Sequence, residues 1–395
     1  MLFTGQLVSL LGTAVAPIAL AFAVLDLTGS KTDLGIVLAA NWVPQLFLVL
    51  FGGVFADRLP RHLVMVGSNA ISAAAQGAIA ALLLTGSARL WHLIALQVVR
   101  GAAFSFFFPA SQGLVPETVP PNLLQQANVL LGMSRNATNV LGAALGGVLV
   151  AAASPGWALA FDAATYLASA AVLAAMHLPA RVRALGAPNV FRELVEGWTE
   201  FVSRRWLWTI VAAAGIGNIA WMGASSVYGP LVAKESLGGA AAWGAIVAAE
   251  GAGLLLGGLL LLRWRPERPL FVGTAALTTG AIPLLCLASL RSTAVIAAAF
   301  LVAGAGLEFF NTSWATALQE HVPIEKLSRV SSYDALGSFV FIPLGLSIAG
   351  PVADAIGLTH ALWLAAAVDA GSMLCALAVR DVRRLRRIEP VAVAT

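Results

Sequence analysis

The sequence predicts an all-α membrane protein of twelve transmembrane helices in two pseudo-symmetric six-helix bundles. Three observations predict it. The chain of 395 residues is 59% hydrophobic and only 11% charged, whereas a soluble domain carries about 25% charged residues. Its long apolar runs lack the alternation of β-barrel strands. A helical span takes about 20 residues, so twelve would use about 240 and leave short loops. The second half also repeats the first. Phe108 to Gly147 aligns with Asn311 to Gly350 at a constant offset, with Glu117-Thr118-Val119-Pro120 matching Glu320-His321-Val322-Pro323. Leu124, Gly142 and Gly147 match Leu327, Gly345 and Gly350 in the same register, and Asp162-Ala163-Ala164-Thr165 resembles Asp369-Ala370-Gly371-Ser372.

In order, the expected spans are 3–25, 33–56, 63–85, 91–113, 127–152 and 156–178, then 207–231, 239–262, 269–290, 293–316, 330–352 and 358–379. The first apolar run continues beyond the core length of a signal peptide and lacks a basic leader, so it reads as the first span. A polar stretch at 179–206 carries Pro179, Gly186 and Pro188 before a charged segment, and reads as a linker, partly an amphipathic helix on the membrane surface. The expected organisation is a bundle at 1–178, the linker at 179–206, a second bundle at 207–379 and a basic tail at 380–395. With the N-terminus in the cytoplasm, nearly all Lys and Arg fall inside, leaving Lys31, Arg89, Lys234 and Arg291 outside. That asymmetry sets the orientation, with both termini cytoplasmic.

Composition also excludes several classes. The net charge of +4 sits at helix ends, which argues against a nucleic-acid partner. Two Cys give no disulfide framework. No phosphate-binding Gly-rich loop occurs beyond the fragment Ser30-Lys31-Thr32, so ATP-driven work by this chain is not expected. No metal-ligand spacing, no cofactor motif and no catalytic cluster is present, so no enzyme is expected.

Charges within spans are costly and face cavities or partners. Arg100, Asp162, Glu250, Glu308 and Asp369 are therefore the candidates for chemistry. A desolvated carboxylate can load and release a proton near neutrality. Asp162 and Asp369 sit symmetrically beside small residues, which also suits a structural role. Asn41, Gln45, Asn218, Trp221, Tyr228, Asn311 and Trp314 are polar or aromatic groups within spans, and an apolar-aromatic cavity with few polar groups suits amphipathic ligands. Each of them also fits ordinary packing. Gly142, Gly146 and Gly147 on the fifth span allow close helix packing.

Between the second and third spans lies Gly53-Val54-Phe55-Ala56-Asp57-Arg58-Leu59-Pro60-Arg61-His62. It resembles the signature loop of the major facilitator superfamily, Gly-x-Leu-Ala-Asp-Arg-x-Gly-Arg-Arg, with Phe55 for Leu, Pro60 for Gly and His62 at a basic position. Arg100-Gly101 resembles the fourth-span signature of proton-coupled drug exporters. Gly142-Ala143-Ala144-Leu145-Gly146-Gly147 is similar to the fifth-span export motif, with Ala143 in place of its Pro. The opening Gly5-Gln6-Leu7-Val8-Ser9-Leu10-Leu11-Gly12 and the run Leu327-Ser328-Arg329-Val330-Ser331-Ser332-Tyr333-Asp334 extend the likeness to a bacterial branch of macrolide-efflux and enterobactin-exporter proteins.

The resemblance implies the major facilitator fold, location in the bacterial inner membrane, and export of a small drug, siderophore or secondary metabolite in antiport with protons. A monomer working on a small-molecule substrate, protons and the lipid bilayer is expected. Spans 1, 4, 7 and 10 line the cavity in that family, which makes Glu308 the first coupling candidate and Glu250 the second. Gly53, Asp57, Arg58, Arg61 and Glu117 would form a cytoplasmic gate that latches the outward-open state. The alternatives are an uncoupled metabolite or lysolipid facilitator, or a membrane sensor that kept the fold.

Overall fold

The computed structural model describes residues 2–118, 124–176, 190–264, 266–289 and 292–387, and every regular element among them is a helix. The first six are α1 (Leu2–Thr28), α2 (Lys31–Arg58), α3 (Arg61–Leu84), α4 (Leu90–Thr118), α5 (Leu124–Ala152) and α6 (Pro155–Ala174). After α7 (Val190–Ser203) come α8 (Arg205–Gly223), the short α9 (Gly229–Val232), α10 (Ala240–Arg263), α11 (Pro269–Leu277) and α12 (Ala281–Ser289). The chain then runs through α13 (Thr293–His321), α14 (Ile324–Phe339), α15 (Ile342–Ile356), α16 (Leu358–Ala378) and α17 (Arg380–Arg384). Ten helical segments among the described residues are long and apolar enough to cross a membrane. Outside that set, α2 and α5 run for 28 and 29 residues.

Helix ends follow local chemistry. Gly29 takes φ +66° and turns the chain between α1 and α2, a conformation that suits glycine. Ser154 caps α6 by accepting from the Trp157 amide, with Pro155 preset for the first turn. Three spans depart from plain α-helix, each just ahead of a proline. The helix that opens with α8 winds through π turns at Ala224–Tyr228 and Ala233–Leu237 and reaches 33 residues, where 207–231 was expected. Pro230 removes the donor that the Ser226 carbonyl would meet in an α-helix, and the wide turn absorbs the mismatch. A 3₁₀ turn at Thr278–Gly280 separates α11 from α12 ahead of Pro283. The expected span 330–352 is broken between α14 and α15 ahead of Pro343.

Packing repeats along the chain. α1 packs on α5 and α6, α2 on α4, and α3 on α4 and α6. The later helices take the same neighbours: α8 packs on α15 and α16, α10 on α13, and α11 on α13 and α16. Two main pairs join the two sets, α5 with α10 and α2 with α15, and α1 also meets α9 and α10. At the first, Gly147 and Gly244 face each other: a Cβ on Gly147 would lie 2.7 Å from the Ala240 carbonyl, and one on Gly244 2.7 Å from the Ala143 carbonyl. Without side chains there, the two backbones approach and gain dispersion contacts that lipid does not offer. Gly146 lies against Val15 of α1, so the fifth-span glycines serve two faces.

Large apolar residues face outward all along the helices, among them Phe47, Leu141, Leu259 and Leu262. Exposed Trp91, Trp157 and Trp264 stand at helix ends, where an aromatic ring suits the lipid–water boundary. Within the expected linker, α7 docks on the end of α13 and on α14. Glu200 accepts from Lys326 Nζ at 2.7 Å and pairs with Arg204, whose Nε reaches the His321 carbonyl at 3.2 Å. Trp198, Phe201 and Tyr333 pack as one aromatic cluster beside these charges. Both cysteines are free.

Candidate functional site

A cavity of about 790 Å³ lies between the two sets of helices. Its walls come from α1, α2, α4 and α5 on one side and from the α8–α9 segment, α10, α13 and α15 on the other. Most of the surface is apolar and aromatic, with Trp42, Phe104, Phe107, Trp221, Trp243 and Phe300 contributing. The π turn before Pro230 sets Ser225 and Ser226 on the wall. Asn41 and Gln45 line it one helical turn apart on α2, where Gln45 Nε2 donates to Asn41 Oδ1 at 2.8 Å.

Three charged side chains reach this cavity: Arg100, Arg135 and Glu250. Arg100 Nη1 donates to Gln97 Oε1 at 3.4 Å, and its electrostatic partners are Tyr166 and Asp162. Glu250 is half-buried on α10, and no hydrogen bond or ion pair reaches its carboxylate among the described residues. Arg135 is exposed on α5 and carries no ion pair among the described residues.

Two further acids occupy matching places behind the walls. Asp162 on α6 is fully buried, accepts from Gln76 Nε2 at 2.8 Å, and lies beside Gly12 of α1. Asp369 on α16 is 7% exposed and lies beside Gly217 of α8 and Gly280 at the break between α11 and α12. Thr165 and Ser372 each donate back to the carbonyl of their own aspartate, at 2.7 and 2.9 Å. Each has one buried carboxylate oxygen without a hydrogen bond among the described residues, Asp162 Oδ1 and Asp369 Oδ2; they differ in that Asp162 has Gln76 and the Arg100 field, while Asp369 has no such partner there.

Glu308 stands elsewhere. It is half-buried on α13 against α10, where a Cβ on Gly257 would lie 3.0 Å from its own Cβ, and Thr312 donates to its Oε1 at 3.0 Å. It does not line the cavity. Among the expected cavity groups, Asn41, Gln45 and Trp221 line it, and Asn218, Tyr228, Asn311 and Trp314 do not. Asn218 donates to the Ser338 carbonyl at 2.8 Å, Tyr228 donates to the Ala349 carbonyl at 2.6 Å, and Trp314 Nε1 donates to Asp334 Oδ2 at 2.8 Å. These three bonds fasten α8, the π turn and α13 to α14 and α15, a structural use of polar groups in an apolar setting. Asn311 is exposed on α13.

Of the expected gate, Arg61 opens α3 and is half-buried. The side chains of Asp57, Arg58 and Glu117, and the surroundings of Gly53, lie outside the described residues. The described closure is at the opposite end of the helices. There Lys31 Nζ meets Asp354 Oδ1 at 2.7 Å and Lys234 Nζ meets Asp26 Oδ1 at 2.6 Å. Lys234 also donates to the Leu25 carbonyl at 2.8 Å, and Thr32 Oγ1 donates to Asp354 Oδ2 at 3.3 Å. Gly350 of α15 lies against the Thr32 backbone, which brings these side chains into reach.

Sequence reasoning missed both ion pairs, Gln76 as the partner of Asp162, and Arg135. The ion pairs join residues hundreds of positions apart and left no local signal. Arg135 did leave one, because a charge inside the expected 127–152 span meets the same criterion as Arg100.

Described residues that are all helical in their regular elements, with ten candidate spans and a central cavity shared by two sets of helices, have the make-up of a polytopic membrane transporter. The chain matches the Major Facilitator Superfamily profile over residues 2–346 and belongs to that family. Macrolide efflux protein A of Streptococcus pyogenes is 22% identical over 391 residues, covering 97% of this chain and 96% of that protein. Multidrug efflux pump Tap of Mycolicibacterium fortuitum is 26% identical over 400 residues, covering 96% and 94%. The crystal structure of the nucleoside transporter NupG superposes with a TM-score of 0.72 at 13% identity, covering 95% of this chain and 97% of that one. The family and these relatives are transporters, not enzymes.

Proposed function

We propose that this chain exports a small amphipathic molecule by alternating access in antiport with protons. The observation that carries the reading is Glu250, a carboxylate on the wall of the shared cavity with no partner among the described residues. Such a group can hold either a proton or a cationic substrate, and exchange between the two is antiport. Its place makes Glu250 the first coupling group, ahead of Glu308, which packs against α10 and does not line the cavity. Arg100 on the wall is backed by Asp162 behind it, and Asp369 is a second proton site at the matching place. The efflux proteins among the relatives support the direction of transport.

The reading includes twelve spans, with α2 and α5 completing the set, arranged as bundles at 1–178 and 207–379 with the linker at 179–206 and the tail at 380–395. The repeated packing partners support this layout. Lys and Arg distribution supports both termini in the cytoplasm, and the reading takes the chain as a monomer in the bacterial inner membrane. In that orientation the ends of α2 and α15 joined by Lys31 and Asp354 face outward, and the conformation is the inward-open one. Asp57, Arg58, Arg61 and Glu117, with Gly53 shaping the turn, would then latch the cytoplasmic side in the opposite state.

Inside-out vesicles with an acid interior test this. A panel of lipophilic cations, macrolides and siderophores is added, and proton release from the interior is recorded. Substrate-driven release in the wild type, lost in Glu250→Gln and kept in Glu308→Gln, is expected. Substrate uptake with no proton movement would replace antiport by uncoupled facilitation.

A further inference from the structure

We infer that the cavity takes an amphoteric substrate, an apolar body with a basic amine that meets Glu250 and an acidic group that meets Arg135. The inference rests on the export reading and names its substrate class. It starts from the two charges on the cavity wall that no other described residue pairs. Arg100 shares its field with Asp162 and Tyr166. Glu250 and Arg135 have no ion pair among the described residues, and they carry opposite signs on neighbouring helices.

Their separation follows from the packing of α5 on α10. Gly251, next to Glu250, lies against Val140, where a Cβ would come within 2.7 Å of Val140 Cγ2. Arg135 stands five residues before Val140 on α5. At 1.5 Å per residue this places Arg135 about 7.5 Å along the axis from the level of Glu250. No ion pair joins the two groups among the described residues, and they are close enough for one small molecule to span them. Trp42, Phe104, Trp221 and Phe300 offer the apolar and aromatic surface that its body would cover.

The arrangement discriminates by repulsion as well as attraction. A simple lipophilic cation satisfies Glu250 and leaves Arg135 facing an apolar or positive surface. A simple anion meets Arg135 and is opposed by Glu250. Only a molecule with both groups matches both walls, and a mismatched charge in a partly dehydrated cavity is costly. The polar edge made by Asn139 and Ser225 can hold the remaining donors and acceptors without favouring either sign.

The test uses a matched pair of dyes, rhodamine B, a zwitterion, and its ethyl ester, a cation of the same skeleton. Equilibrium binding to the purified full-length protein is read by fluorescence polarisation, without a proton gradient. The wild type is expected to bind rhodamine B at least tenfold more tightly than the ester. Arg135→Gln should erase that preference by weakening rhodamine B alone, Arg135→Lys should restore most of it, and Glu250→Gln should weaken both dyes. Equal binding of the two dyes, equal loss of both in Arg135→Gln, or no binding of either overturns the inference. The export reading stands or falls separately, on proton release in vesicles: binding of the ester alone together with proton release would keep export and remove the amphoteric class.

Discussion

Lys31 on α2 and Asp354 on α15 form a 2.7 Å ion pair between the two sets of helices. Lys31 is only partly exposed while Asp354 is largely open to solvent, with side-chain exposures of 24% and 61%. An exposed pair of this kind is worth about 1 kcal/mol or less. It is therefore strong enough to bias a two-state closure and weak enough to break in every cycle. Replacing both residues, Lys31→Cys with Asp354→Cys, should give a protein that a short bis-methanethiosulfonate reagent crosslinks and that then stops transporting. A reducing agent should restore transport. Crosslinking without arrest would show that this end does not open during the cycle.

The contact of Gly147 with Gly244 is lined by backbone, which cannot move aside as a side chain would. Gly147→Val should overpack the α5–α10 seam at a cost of about 1–3 kcal/mol. Thermal unfolding in detergent should show a lower midpoint. A matching exposed substitution, Val148→Ala, should leave it in place.

The twin aspartates should respond unequally. Asp162→Asn removes the negative partner of the Arg100 field and weakens the bond from Gln76, at a cost of about 1–3 kcal/mol. Arg100→Gln in the same chain should recover part of that loss. Asp369 has no cation beside it among the described residues, so Asp369→Asn should cost about 1 kcal/mol or less. Chemical denaturation of the wild type, the Asp162→Asn and Arg100→Gln single variants and their double variant measures the cycle, and transport by the folded Asp369→Asn protein reports whether that acid handles protons.

The linker helix should loosen in acid. The Lys326 ammonium, and then Arg204, hold the Glu200 carboxyl below its ordinary range. A depressed carboxylate stabilises the folded state above its unfolded pKa, and this contribution disappears as pH falls through the folded value. The gain should be complete at pH 7 and lost below about pH 4, the ordinary glutamate range. It amounts to about 0.5–1 kcal/mol because water and salt screen the pair. Limited proteolysis at α7 should be faster in Glu200→Gln than in the wild type at neutral pH, and equal in both in strong acid.

Much of the fold was legible because lipid imposes a simple rule: every span must be long, apolar and internally hydrogen-bonded. The repeat of Asp162 by Asp369 was visible for a related reason, since buried charges are rare enough to align by eye. The wide turn before Pro230 was not legible, because composition does not say how a helix accommodates a proline. Asn218, Tyr228 and Trp314 looked like cavity groups, yet each spends its polar atom on a neighbouring helix. Residue type in a span signals that a partner exists; which partner it is depends on helix rotation, which a single sequence leaves open.

The two π turns between Ala224 and Leu237 give the helix that opens with α8 a store of rotation. Each holds one more residue per turn than an α-helix, so collapsing one into α form would swing everything beyond it by about 100°. Ser225 and Ser226 would leave the wall together, and the cavity would change its chemistry without any helix having to slide.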